Sequence, residues 1–283
     1  MNKNIKLISL DVDGTLLDNH GDLPEENLRV LRIVQEAGIV VLLNTGKPVN
    51  AIQKEIALLN IQGPIVTLAG SMTLARNAFG NYSISHIIPI EENQALNVMG
   101  ILAQTRASVI VITTKNTYVS HSKAQPEYQQ FFREIAASTN MPEMMQVGHQ
   151  DLGNPLAIER PIVKMMVICD EEEELNQIVR LYQAQYSDQL TLLRSSPGTI
   201  DIYSSESGKL QALKAVCAEM KITRENVLAM GDYHTDLEAV KWAGMGAIMG
   251  NAPQAVLVQA PMVAPSNVDC GVARFITQYV LEG

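Results

Sequence analysis

Cysteine is scarce in this chain. Its three residues, Cys169, Cys217 and Cys270, are far apart and match neither a disulfide framework nor a C-x-x-C metal or redox motif. They read as buried or incidental thiols. No apolar run reaches the ~18 residues a membrane-spanning helix needs. Residues 1–6 lead directly into a strand-like stretch, where a signal peptide would carry its apolar region. A soluble, cytoplasmic protein is expected. Positive charge is also short: 21 Lys and Arg against 30 Asp and Glu leave a formal charge of −9, which opposes binding to nucleic acid or to an anionic membrane. The expected partner is a small molecule, and the sequence is silent on oligomeric state. His20, His86, His121 and His149 are scattered singly, and only His234 falls inside a motif. Repeats and low-complexity tracts are missing too.

What is present is a chain of 283 residues with 47% apolar content, enough for one large domain or two ordinary ones. Its first third alternates short apolar runs with amphipathic segments, the rhythm of βαβ units. The spacing predicts strands over 6–10, 39–43 and 65–68 and helices over 25–37 and 49–59. Pro24 suits a first helical turn and Gly38 a C-cap. Continuous apolar strands joined by helices imply a doubly wound, Rossmann-like parallel sheet covered on both faces. Ligands of such sheets bind beyond the carboxyl ends of the strands, here near Asp11, Thr45 and Ala69-Gly70.

From about Ser85 a second set of elements begins. An amphipathic segment over 91–104 precedes a strand over 109–113, a helix around 128–137 and a strand over 162–169. A charged helix from Asp170 and strands over 191–194 and 199–203 follow. Residues 141–161, with Pro142, Pro155 and Pro161, read as a long surface connection. The α/β rhythm resumes after Ser204, with helices over 209–220, 236–243 and 271–281 and strands over 227–230 and 247–249. The expected organisation is a core domain in two parts, 1–85 and 204–283, around an inserted α/β domain, 86–203.

Asp11 and Asp13 flank Val12 directly after the first apolar strand, so at strand spacing both carboxylates point the same way. At ~4 Å and an effective dielectric near 20, two like charges repel by about 4 kcal/mol, so a cation or a shared proton is expected beside them. Asp-Gly is also ordinary turn chemistry, and an Asx turn explains the pair alone nearly as well. An EF-hand is excluded, since a third acid before Gly14 and the later Glu are missing. Gly231-Asp232-Tyr233-His234-Thr235-Asp236 again follows an apolar strand and opens a helix, bringing two more carboxylates four residues apart. Hard oxygen ligands without His or Cys favour Mg²⁺ over zinc. Thr45-Gly46 offers a hydroxyl and an unobstructed N–H to phosphate oxygens. Lys209 could place an ammonium where charge develops on a phosphoryl group. Gly208-Lys209 is not a P-loop, and the glycines at 244, 246 and 250 miss dinucleotide spacing by one residue.

Taken in order, Asp11-x-Asp13-Gly14-Thr15, Thr45-Gly46, Lys209 and Gly231-Asp232-x-x-x-Asp236 resemble the four motifs of the haloacid dehalogenase-like superfamily. The insert between the second and third motifs resembles the large α/β cap of its Cof-type sugar-phosphatase subgroup. Gly250-Asn251-Ala252 and Asp269-x-Gly271-Val272-Ala273 resemble that subgroup's C-terminal signatures.

The resemblance implies a Mg²⁺-dependent phosphatase of a small phosphorylated metabolite, with the cap supplying specificity. Asp11 would be the nucleophile and Asp13 the acid and base. Thr45, Gly46 and Lys209 would hold the phosphoryl group, and Asp11, Asp232 and the backbone carbonyl of Asp13 the metal, joined by Asp236 directly or through water. An acid at Asp13 separates phosphatases and phosphomutases from the dehalogenase branch and the transport ATPases. The family's Arg after Thr-Gly is Lys47 here, its Gly after the motif lysine is Leu210, its Asn before the last acid is Thr235, and Ala69 replaces Asn before Gly70. These changes spare the carboxylates and alter the surrounding phosphate and metal contacts. A phosphomutase or phosphotransferase with the same acids, and a nearly inert metabolite-binding protein, are the alternatives.

Overall fold

The structure, a computed structural model, describes residues 4–121, 144–169, 171–186, 188–196 and 198–282. The chain divides into two compact units, Met1–His86 with Gly208–Gly283, and Ile87–Ser207.

The first unit begins with β1 (Leu7–Leu10), α1 (Glu25–Glu36), β2 (Val40–Asn44), α2 (Gln53–Leu59) and β3 (Ile65–Thr67), then β4 (Met72–Arg76) and β5 (Tyr82–Ile87). In the insert follow α3 (Glu92–Leu102), β6 (Ser108–Thr113), β7 (Thr117–Ser120), β8 (Met145–Gln146), β9 (Ile162–Ile168), α4 (Glu172–Tyr186), β10 (Leu190–Ser196) and β11 (Thr199–Ser204). The first unit resumes with α5 (Lys209–Glu219), β12 (Val227–Gly231), α6 (Leu237–Trp242), β13 (Met245–Met249), α7 (Gln254–Leu257), β14 (Val263–Ala264) and α8 (Gly271–Ile276).

The core sheet runs β14-β13-β12-β1-β2-β3-β4-β5. Its pairings from β14 through β3 are parallel. Strand alternation sorts the apolar side chains between two layers of helices. Ile8, Leu10, Val41 and Leu43 join Val30, Leu31 and Val34 of α1 and Val272, Phe275 and Ile276 of α8 in one buried cluster. Leu7, Leu42 and Val66 face Ala212, Leu213 and Val216 of α5 and Ala239 and Val240 of α6 in another. Each such side chain contributes ~1.5–3 kcal/mol when fully buried, so both faces are committed to packing and polar chemistry is left to the strand ends.

The insert has its own sheet, β10-β11-β9-β6-β7-β8. Val109, Val111, Met165, Val167, Ile200 and Ile202 form its core with Val98 and Met99 of α3 and Leu175, Ile178 and Tyr182 of α4.

The expected doubly wound core is present, with four differences in detail. β4 pairs antiparallel with β3, and β4 and β5 extend the sheet where no strand was anticipated. Met72, Thr73 and Leu74 are buried in succession and Arg76 is exposed, so this strand is covered on both sides only at its start. The helix expected over 49–59 begins as a 3₁₀ turn, Val49–Ile52, before α2. The helix expected from 236 starts at Leu237. The stretch 141–161 is not all surface: Leu152 and Ile158 are buried in the insert's core. Pro142 and the helix expected around 128–137 lie outside the described residues, as does Asp170. No described helix is long and apolar enough to cross a membrane.

Candidate active site

Three neighbouring strands, β12, β1 and β2, end level with one another, since Leu10 pairs with both Met230 and Leu43. The residues that follow each strand therefore meet: Asp232 after β12, Asp11 after β1 and Thr45 after β2. Lys209 joins them from the first turn of α5, and Asp236 from the turn before α6.

The Lys209 ammonium donates to Asp11 Oδ1 at 2.7 Å and to Asp236 Oδ1 at 2.6 Å. All three side chains are less than a tenth exposed. Asp236 does not cap its own helix. Its Oδ2 accepts from the backbone N–H groups of Asp232 (3.3 Å) and Tyr233 (3.0 Å), which folds the turn back on the site. The Thr15 hydroxyl donates to Asp232 Oδ1 at 3.1 Å. Oxygens of Asp11, Asp232 and Asp236 lie within 4.8 Å of one another. Three carboxylates against one ammonium leave two negative charges in a buried place, a deficit that one divalent cation balances. An all-oxygen donor set of this kind fits Mg²⁺.

Two glycines make the approach possible. Gly14 has φ +69°, and a Cβ there would sit 2.4 Å from Asp232 Oδ2. Gly70 has φ +94°, and its Cβ would meet the Gly208 carbonyl at 2.2 Å.

The loop after Asp11 is held by asparagine side chains. Asn251 Nδ2 donates to the Gly14 carbonyl, Asn27 Nδ2 to that of Leu16 and Asn267 Nδ2 to that of Leu17, at 2.8, 3.0 and 2.9 Å. Asn251 Oδ1 in turn accepts from the Asn267 N–H. Asn251 lies in a motif singled out from the sequence. Asn27 and Asn267 carried no signal, because a side-chain amide aimed at a distant carbonyl leaves no periodic or local pattern.

Asp13 is placed differently from the other acids. Its side chain is about half exposed and pairs with Lys47, Nζ to Oδ1 at 2.6 Å, outside the buried carboxylate cluster. Thr45 is buried, and its hydroxyl accepts from the Lys47 N–H. A side chain added at Gly46 would project into open space. His234 is exposed and stacks edge-on against Tyr233. A cavity of about 390 Å³ lined by Ile39, Val41, Pro64 and Arg76 lies at the opposite, starting ends of β2 and β3, away from this chemistry.

Burial pushes the Asp11 carboxyl up to about 8; Lys209 counters, and Asp236 and Asp232 add to the rise. Asp232 is pushed up to about 6, first by burial and then by Asp236. Burial disfavours the Lys209 ammonium, yet its two carboxylate partners overcome this and hold its pKa above the usual value. Asp11 and Asp232 thus keep protons in the folded state at pH values where the unfolded chain has released them. Through these groups the metal-free fold loses stability as pH rises from about 4 to about 8. A bound divalent cation favours the carboxylates and opposes that loss. The thermal midpoint gained on adding saturating Mg²⁺ is expected to grow across this interval. A gain that stays flat or shrinks would argue against metal binding at these carboxylates.

Residues 8–276 match the model of the haloacid dehalogenase-like hydrolases. The chain is 27% identical over 280 residues to YxeH of Bacillus subtilis (strain 168), covering 98% of each protein. It is 24% identical over 278 residues to the 5-amino-6-(5-phospho-D-ribitylamino)uracil phosphatase YcsE of the same organism, covering 98% of this chain and 97% of that one. A haloacid dehalogenase-like hydrolase from Bacteroides thetaiotaomicron superposes with a TM-score of 0.80 at 24% identity, over 97% of this chain and 99% of the other. The chain belongs to the haloacid dehalogenase-like hydrolases and is one of their phosphatases.

Proposed function

We propose that the chain is a Mg²⁺-dependent phosphomonoesterase of a small sugar or polyol phosphate, working through a phosphoryl group carried on Asp11. The observation that carries this reading is the buried contact of Asp11 with Lys209 beside Asp232 and Asp236. A carboxylate held against an ammonium, in a cluster short of positive charge, suits attack on a phosphate dianion that arrives with a cation. The substrate class is supported by the relative whose named substrate carries its phosphate on a ribityl chain, and selectivity is assigned to the insert.

In the first step an Asp11 carboxylate oxygen forms a bond to phosphorus as the bond to the leaving oxygen breaks. As general acid, Asp13 delivers a proton to that oxygen and the alcohol departs. In the second step Asp13, now a carboxylate, takes a proton from water as the water oxygen attacks phosphorus, releasing inorganic phosphate and restoring Asp11. Thr45 and Gly46 hold the phosphoryl oxygens and Lys209 neutralises charge between nucleophile and phosphate. Asp11, Asp232 and Asp236, with the Asp13 carbonyl, are the groups that would hold Mg²⁺, which supplies further charge neutralisation on the transferring group.

The test is phosphate release from a panel of sugar, polyol, nucleotide and aryl phosphates, with Mg²⁺ or with EDTA. Turnover on sugar or polyol phosphates is expected, falling by roughly 10²-fold or more without metal. Release without any acceptor alcohol separates hydrolysis from phosphoryl transfer to a second substrate. Undiminished turnover in EDTA would remove the metal from the reading, and turnover confined to nucleotides or aryl phosphates would remove the substrate class.

A further inference from the structure

We infer that Asn44 is a positioning residue for Lys209. Lys209 has to hold its ammonium between Asp11 and Asp236 at 2.7 and 2.6 Å, and the start of α5 sets where that side chain is rooted. The N-cap of this helix is Gly208, which has no side chain with which to cap it. Two other contacts fix its start. Gly208 lies against the backbone of Gly70, and Asn44 Nδ2 donates to the Lys209 carbonyl at 3.0 Å across 165 residues of sequence.

Asn44 ends β2 directly before Thr45. Thr45 is itself anchored, its N–H donating to the Val66 carbonyl and its carbonyl accepting from the Ala69 N–H. A single buried amide therefore joins the strand end that carries the phosphate-holding turn to the helix that carries the lysine.

A second observation separates this from ordinary packing. Asn44 is 3% exposed, and its Oδ1 is buried without a hydrogen-bond partner among the described residues. A buried amide with an unanswered acceptor is a poor way to stabilise a strand end, where a leucine of similar branched outline carries no such penalty. What the amide offers and leucine lacks is the directed bond to Lys209, beside a longer one of 3.5 Å to the Ser9 hydroxyl. The inference rests on the catalytic role given to Lys209 above, and the experiment separates the two.

Asn44→Leu and the smaller Asn44→Ala remove the donor. Each is expected to lower kcat by about 10- to 100-fold, the cost of displacing a reacting group by up to ~1 Å. KM should stay within about threefold, because Lys209 acts on charge that develops in the transition state. In a Lys209→Met background, adding either Asn44 substitution should cost nothing further, since a residue acting through Lys209 has nothing left to position. Multiplying effects, or an unchanged kcat in both single variants, would overturn the inference. So would a loss of kcat that vanishes when rates are expressed per folded molecule. A Lys209→Met enzyme of full activity would instead overturn the role of Lys209.

Discussion

Asp11→Asn is expected to abolish phosphate release, by about 10⁴-fold or more, and at the same time to make the metal-free protein more stable above neutral pH. The two effects have one origin. An amide of nearly the same shape keeps the packing of Asp11, which is 7% exposed, but cannot attack phosphorus. It also removes one negative charge from a cluster where burial already pushes the carboxyl up to about 8. Lys209 keeps Asp236 as its partner, so the ammonium is not stranded. Phosphate release at saturating Mg²⁺ and thermal midpoints in EDTA test both halves. Activity within tenfold of the parent would place the nucleophile elsewhere. A lower midpoint would mean that the Lys209 pairing outweighs the cost of burying Asp11.

Gly14→Ala should also slow turnover, by about 10²-fold, without touching a reacting group. At φ +69° any side chain costs about 1–2 kcal/mol of backbone strain. The larger effect is on Asp232, whose Oδ2 lies 2.4 Å from the position of the new Cβ. Relieving that overlap moves the carboxylate by ~1 Å, a displacement that costs about 10²-fold in rate where geometry is critical. Weaker Mg²⁺ binding should accompany it, because Asp232 is one of the three clustered carboxylates. Calorimetric titration of the metal beside kinetics checks this. Unaltered Mg²⁺ affinity together with unaltered kcat would show that Asp232 accommodates the methyl group at no cost.

Much of this site was legible in the sequence, for a physical reason. Acids that directly follow buried parallel strands have nowhere to go but the carboxyl edge of the sheet. Asp11, Asp232 and Asp236 meet as expected, and so does Lys209, whose position alone would fit an exposed surface lysine equally well. Asp13 shows the limit: strand spacing from Asp11 predicted two carboxylates pointing the same way, whereas the strand ends at Leu10, a turn begins at Val12 and Asp13 pairs with Lys47. The family's arginine at that position would form a two-pronged contact; Lys47 makes a single-point one. Asn27, Asn44 and Asn267 were invisible because their work is done by long-range amide bonds, which obey no spacing rule. β5 carried no signal because Tyr82–Ile87 is largely exposed and lacks the apolar run that marks the inner strands.

The asparagine bonds to the loop after Asp11 also bear on when the enzyme can exist. Residues 14 and 17 take their anchors from Asn251 and Asn267, made 237 and 250 positions later, and β1 pairs on one side with β12. During synthesis Asp11 therefore emerges from the ribosome without β12, Lys209 or the loop anchors. The insert, whose own sheet and core are complete by residue 207, is available to fold first. Catalytic competence arrives in one late step, when the last strands and α8 close the core sheet, and a half-made chain carries no working phosphatase.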